Sequence, residues 1–239
     1  MLIERRIGPA RAVWTDRHGG VSEPPFDTAN LTASGGDARD AVAENRQRLA
    51  DALALGLPDS WWWLRQVHGT HVVHATRPAR AEPPEADAVV TAELGLPLVV
   101  LTADCAPIAL ASDTAVGAVH AGWPGLLAGV VEAAVEKLRA LGSGPVRAVL
   151  GPCVHPERYE FGAADLARMV DRLGVGVASQ TDAQTPALDV PAAVRAALGR
   201  VGVDDVDDVG VCTSVSPDHF SHRRDGTTGR QGLVVVLEP

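Results

Sequence analysis

The chain has 239 residues, 46% of them hydrophobic, and a formal net charge of −9 from 21 Lys and Arg against 30 Asp and Glu. That length supplies one large α/β domain or two small ones with a substantial core. With no basic tract to meet a nucleic-acid backbone or an anionic membrane, neither is expected as a partner. Lys137 is the sole lysine, which removes Schiff-base and phosphate-loop lysine chemistries. No apolar run approaches the ~20 residues that cross a bilayer. Residues 1–6, with Glu4 and no apolar signal core, predict a cytoplasmic chain. Cys105, Cys153 and Cys212 are an odd count without framework spacing, expected as thiols or ligands rather than bridges.

In chain order, the pattern predicts a strand over 10–16, a Gly19-Gly20 turn and a polar loop to Asn30. Asp37 is expected to cap a helix over 39–55 that carries Val42, Leu49 and Leu53 and is stopped by Gly56. Short β-branched runs bounded by Gly, Pro or Asp predict strands at 72–74, 87–91, 98–102, 108–111 and 116–120. An amphipathic helix over 126–141 and a strand over 146–150 follow. Helices at 163–173 and 190–198 flank a polar surface loop over 174–187, and strands at 209–213 and 233–237 close the chain. Strands outnumber helices, and several neighbours are close enough to pair antiparallel. The expectation is a single α/β (α+β) domain over residues 1–239, with a mixed sheet packed between helices. No G-x-G-x-x-G follows a strand, against a doubly wound dinucleotide fold.

Three compact motifs carry the chemistry: Gln66-Val67-His68-Gly69-Thr70, Thr102-Ala103-Asp104-Cys105-Ala106-Pro107 and His120-Ala121-Gly122-Trp123. Each places a histidine or cysteine at the end of a strand-like run, next to small or turn-forming residues. Two imidazoles and a thiolate suit zinc, and three protein ligands leave a fourth position open for water or substrate. Each residue also has an ordinary structural reading. A free cysteine is often a small buried hydrophobe, His120 could be a hydrogen-bonded core histidine, and His71 and His74 read as exposed polar residues. Asp104, beside the thiol, is the candidate for orienting the ligand or handling a proton. Cys153 and His155 are expected as wall residues and Cys212 as core. Arg46 and the loop of Arg223-Arg224-Asp225-Gly226-Thr227-Thr228-Gly229-Arg230 hold guanidinium forks that suit carboxylate or phosphate oxygens; a solvated loop is the competing reading.

These motifs, with Thr15-Asp16-Arg17-His18-Gly19-Gly20-Val21-Ser22, Glu44-Asn45-Arg46, Gly151-Pro152-Cys153, Tyr159-Glu160 and the closing Arg223–Gln231 loop, resemble the YfiH family along nearly the whole chain. The family is also called the peptidoglycan editing factor or laccase-domain family. The resemblance implies a metal site of His68, Cys105 and His120, zinc with copper as the other candidate. It implies phosphorolysis of adenosine, inosine, guanosine and methylthioadenosine, and deamination of adenosine. The partners are then small purine nucleosides and phosphate, with a monomer or weak homo-oligomer as the expected state. Gln66, Arg46 and Arg223 are the implied substrate-binding residues. The family's arginine after His-Ala-Gly-Trp is Pro124 here, which shifts anion binding toward Arg46 or Arg223. The family's older label, a multicopper polyphenol oxidase, needs more histidine ligands than the eight present.

Two other functions use the same residues. In a cysteine-type amide hydrolase that edits misincorporated Ser in peptidoglycan precursors, Cys105 attacks and His120 is the base; Asp104 beside the thiol disfavours a lowered pKa. In a non-catalytic, metal-stabilised binding module, Cys153 or His71 closes the metal shell.

Overall fold

The computed structural model describes residues 2–79 and 82–238, so Met1 of the amino-terminal segment and the last residue of the 1–239 span lie outside the described residues. The elements run β1 (Ile3–Ile7), β2 (Ala10–Trp14), α1 (Arg39–Leu53), β3 (Val72–His74), β4 (Ala88–Thr91), β5 (Leu98–Thr102), β6 (Ala106–Ala111) and β7 (Val116–Ala121). They continue with α2 (Trp123–Ala128), α3 (Val130–Leu141), β8 (Arg147–Leu150), α4 (Ala163–Leu173), β9 (Ala178–Gln180), β10 (Pro186–Leu188), α5 (Val190–Arg200), β11 (Val206–Asp208), α6 (His222–Asp225) and β12 (Gln231–Leu237). No helix among the described residues is long and apolar enough to cross a membrane.

The strands form a six-stranded mixed sheet ordered β11-β8-β6-β7-β4-β3 and a four-stranded antiparallel sheet ordered β1-β2-β12-β5. Period-two alternation decides what each strand faces. In β6, Ala106, Ile108 and Leu110 pack toward Leu126, Val131, Leu138 and Val194 of the helices, while Ala109 and Ala111 pack against Trp14, Val100 and Leu233 of the other sheet. The second sheet alternates in the same way: Leu233 and Val235 face the first sheet, and Val234 joins Leu49 and Leu53 of α1. The result is four layers, with helices outside and two sheets stacked face to face. The central strands β6 and β7 are buried at every position, which is why they read as continuous apolar runs rather than as alternation.

The α/β class and the mixed sheet are as the sequence predicts, while several boundaries differ for local reasons. The 126–141 helix is two helices, because Gly129 adopts φ 98 and ends α2 before α3 begins. Helix α1 stops at Leu53 with Ala54 in the left-handed region, ahead of Gly56. Asp37 does not cap it; the N-cap is Ala38, and Asp37 instead accepts from the Ser22 hydroxyl and the Asn30 amide. The 174–187 segment contains the β9–β10 hairpin. Residues 209–213 make only an isolated bridge between Cys212 and Cys153, and the neighbouring strand is β11. Strand β1, rich in charged residues, has no counterpart in the sequence reading.

Close packing of the two sheets produces one sharp constraint. The Gly151 N–H and the Trp14 indole both donate to the Pro107 carbonyl, and a methyl at Gly151 would overlap the fully buried indole. Gly151→Ala is therefore expected to lower stability by about 1–3 kcal/mol through overpacking, read as a lower urea midpoint at unchanged slope. A midpoint equal to that of the unaltered protein would show that the two sheets are loosely fitted here.

Candidate metal centre

The centre is assembled from three segments. His68 sits in the loop before β3 with φ 59, Cys105 immediately precedes β6, and His120 lies near the end of β7. One potential ligand atom from each falls within 4.8 Å of the others. The rings of His68 and His120 meet edge to face with centroids 4.8 Å apart, and the Cys105 sulfur lies 3.7 Å from His68 Nε2. His120 is buried, Cys105 half-buried and His68 exposed.

Asp87, a residue the sequence reading did not single out, holds this arrangement in place. Its fully buried carboxylate accepts from the backbone N–H groups of Val67 (3.2 Å), His68 (2.9 Å) and Gly69 (2.7 Å), and lies 2.8 Å from His120 Nδ1. Burial alone would push the carboxyl up, but the His120 hydrogen bond and the Gly69 and Val67 N–H groups hold it below its usual value. Two consequences follow. The His68 backbone is kept in the left-handed region that a non-glycine residue rarely occupies. The other edge of the His120 ring is turned toward the thiol, the carboxylate–histidine pairing typical of metal sites. The only sequence signal for Asp87 is an acid at the head of an apolar strand.

Charge on Cys105 and His120 is mutually stabilised. Burial disfavours the Cys105 thiolate, yet His120 and His68 bring its pKa down to about 6. Burial likewise disfavours protonated His120, yet Cys105 and Asp87 raise it to about 9. Gly122 fits against His68 and Cys105 because a Cβ there would overlap His68 Cδ2 and stand 3.3 Å from the sulfur. Two nitrogens and a thiolate, with one imidazole already oriented by a carboxylate, fit a divalent ion such as zinc. Among the described residues no fourth side chain joins the group.

His68 and Cys105 line two cavities. The larger, about 780 Å³, is walled by Val67, Trp123, Pro124, Val154, Tyr159 and Arg223 among others. Trp123 and Tyr159 both pack on Phe161. Burial and the Cys105 charge push the Tyr159 hydroxyl up to about 12. The smaller, about 430 Å³, contains Thr32, Ser34, Arg65, Gln66, Thr102 and Arg230.

The remaining sequence candidates divide. Asp104 adopts φ 97 and turns away from the thiol, so that its carboxylate accepts from the Thr213 hydroxyl and the Arg223 N–H, each at 2.6 Å. It ties the carboxy-terminal loop to the Cys105 junction. Gln66 spends both ends of its amide on the Leu101 backbone at 2.7 Å. Arg223 faces the larger cavity, 4.8 Å over the Tyr159 ring. Arg46 lies apart: it stacks 3.8 Å over Trp63, donates to the Leu31 carbonyl and lines another cavity. His71 and His74 are exposed, and Cys153 is core. His155, expected beside Cys153, instead groups with Glu157 and Cys212, which is half-buried rather than core.

The class these features define is a single-domain mixed α/β protein with an open two-histidine, one-cysteine candidate metal centre. The chain belongs to the family described as multi-copper polyphenol oxidoreductase laccase, which matches residues 11–238. It is 47% identical to purine nucleoside phosphorylase ORF3 of Streptomyces griseus over the whole of both chains. It is 46% identical to a purine nucleoside phosphorylase of Streptomyces coelicolor, covering 97% of each. Among solved structures it is similar to YlmD of Geobacillus stearothermophilus (TM-score 0.89, 31% identity, 97% of this chain and 93% of that one). YfiH of Bacillus licheniformis gives a TM-score of 0.88 at 27% identity, with 96% and 93% covered.

Because Asp87 orients two of the three ligands, Asp87→Asn is expected to weaken zinc binding by about 10–100-fold, measured by competition with a chromogenic chelator on protein whose far-UV spectrum is unchanged. Unaltered affinity in a folded Asp87→Asn protein would remove Asp87 from the centre.

Proposed function

We propose that this chain is a metal-dependent purine nucleoside enzyme. It would carry out phosphorolysis of adenosine, inosine, guanosine and methylthioadenosine, and deamination of adenosine, at a mononuclear centre of His68, Cys105 and His120. The observation that carries this reading is the convergence of those side chains on a cavity large enough for a nucleoside, in a chain nearly half identical to relatives named purine nucleoside phosphorylase. The donor set favours zinc, with copper as the alternative. Held by His68, Cys105 and His120, the ion would supply a Lewis acid.

The protein's own part is binding and orientation. Trp123 and Tyr159 offer aromatic surface to a purine. Pro124 stands where the family resemblance leads to an arginine, and the guanidinium on this wall belongs to Arg223, whose backbone Asp104 holds. In phosphorolysis a phosphate oxygen bonds to C1′ as the C1′–N9 bond breaks, and the base leaves with the electron pair and takes up a proton. In deamination water adds at C6 and ammonia departs. Gln66, locked to the backbone, shapes the floor, and Arg46 supports the Leu31 segment from its own cavity. A multicopper oxidase centre is not assembled, because no third histidine joins the group among the described residues.

One observation favours a second reading: the depressed thiol of Cys105 suits a nucleophile of the amide-hydrolase type. A three-ligand group, with neither Cys153 nor His71 in it, argues against a closed structural metal module.

Incubation with adenosine, with and without phosphate, separates these functions by product: adenine plus ribose 1-phosphate, inosine, or neither. His68→Ala and Cys105→Ala, at exposed and half-buried positions, are expected to fall to background while remaining folded. Nucleoside cleavage retained by metal-free Cys105→Ala protein would refute the metal reading. Activity on an amide substrate that survives chelation but not thiol alkylation would establish the hydrolase.

A further inference from the structure

The two cavities that share His68, Ala103, Cys105 and His222 differ in the rest of their lining. The larger is walled by valines, Trp123, Pro124 and Tyr159, and its one arginine, Arg223, lies over the Tyr159 ring. The smaller is lined by hydroxyls and two arginines. Of these, Arg65 is mostly exposed and paired with Glu85, whereas Arg230 is half-buried. Arg230 Nη1 is held by the Thr228 and Gly229 carbonyls at 3.0 and 2.9 Å, which fixes the guanidinium plane. Among the described residues its Nε and Nη2 have no hydrogen-bond partner, and no carboxylate pairs with it. Desolvation lowers its pKa, and the charges of Cys105 and Asp104 act in the opposite direction without forming an ion pair with it.

A second group points the same way. Thr102 is 2% exposed, lines this cavity, and its hydroxyl has no partner. A buried orphan hydroxyl is costly unless a ligand completes it, and the guanidinium that lines the same cavity keeps two nitrogens free to serve that ligand. The complement is a compact oxyanion, for which a charged fork and a hydroxyl are strong donors.

Phosphorolysis needs two unlike substrates at one carbon: a neutral purine nucleoside and a phosphate dianion. We propose that the smaller cavity is the phosphate subsite, with the Arg230 guanidinium and the Thr102 hydroxyl as its donors, and that the larger cavity takes the nucleoside. The assignment rests on the phosphorolytic reading above. It places the anion-holding arginine at the end of the closing Arg-rich loop, rather than at Arg46, which lines a separate cavity over Trp63. Phosphate oxygen and C1′ then meet at the wall that both cavities share. The new C1′–O bond replaces C1′–N9, and the base takes its proton from solvent.

The test is steady-state phosphorolysis of inosine by wild type, Arg230→Gln, Arg230→Lys and Thr102→Val, each substrate varied in turn, together with calorimetric titration of inorganic phosphate into nucleoside-free protein. Arg230→Gln is expected to raise the phosphate KM by about 10–30-fold, as for loss of a charge-assisted hydrogen bond, with the inosine KM within about twofold. Arg230→Lys should recover part of the loss, and Thr102→Val should raise the phosphate KM by about threefold. Calorimetric phosphate affinity should fall in the same order. Robust phosphorolysis with an unchanged phosphate KM in folded Arg230→Gln, or a shift in the inosine KM instead, overturns the subsite. Phosphate that binds wild type and is lost in Arg230→Gln, with no phosphorolysis in any protein, keeps the oxyanion site and overturns the phosphorylase reading. No phosphate binding and no phosphorolysis by wild type overturns both.

Discussion

A single buried carboxylate organises the candidate metal centre of this protein. Asp87 collects three consecutive backbone N–H groups and one imidazole nitrogen, and a charge out of water is tolerable only with that degree of compensation. In return it fixes two things that packing alone leaves loose: the left-handed turn that aims His68 and the ring orientation of His120. The thiolate side is held by a parallel device. Asp104 takes a positive φ and binds Thr213 and the Arg223 backbone, so the chain reverses just before Cys105 and the sulfur faces inward. Asp104 thus acts through backbone geometry alone, whereas Asp87 acts both on the backbone of one candidate ligand and on the ring of another.

The layered fold explains why three motifs distant in sequence converge. Strands β6 and β7 are neighbours in the larger sheet, with Pro107 opposite His120 in the register. Cys105, one residue before β6, therefore meets His120 across the pair. The His68 loop reaches them because β3 lies beside β4, which Asp87 immediately precedes, and β4 pairs with β7. The centre is a property of strand order, and the burial of β6 and β7 on both faces gives it a rigid base.

Much of this was legible in the residues. Continuous apolar runs gave the central strands, and the three motif ends gave the side chains that the fold gathers into a candidate metal group, because glycine or proline beside a polar residue marks where a strand stops and presents a side chain. What remained hidden depended on distant partners. Asp87 looks like an ordinary strand-leading acid until its donors arrive from another segment. Asp104 beside Cys105 reads as a charge that would raise the thiol pKa, and only the fold reveals that it turns to Thr213. Asp37 has the residue type of a helix cap but is captured by Ser22 and Asn30. Arg46 and Arg230 are equivalent on paper, and what separates them is a tryptophan under one and a polar cavity around the other. Gly129 divided a helix whose amphipathic pattern runs unbroken on either side of it.

The position of β12 also bears on how such a protein comes to exist. It is the last strand of the chain, yet it lies inside the smaller sheet, between β2 and β5, and its preceding loop carries Arg223 and Arg230. A nascent polypeptide on the ribosome therefore cannot close that sheet, nor complete either cavity, until residues 222–237 have emerged. Translation products that stop before residue 222 would hold all three candidate ligands and still lack His222, Arg223 and Arg230, which complete the two cavities.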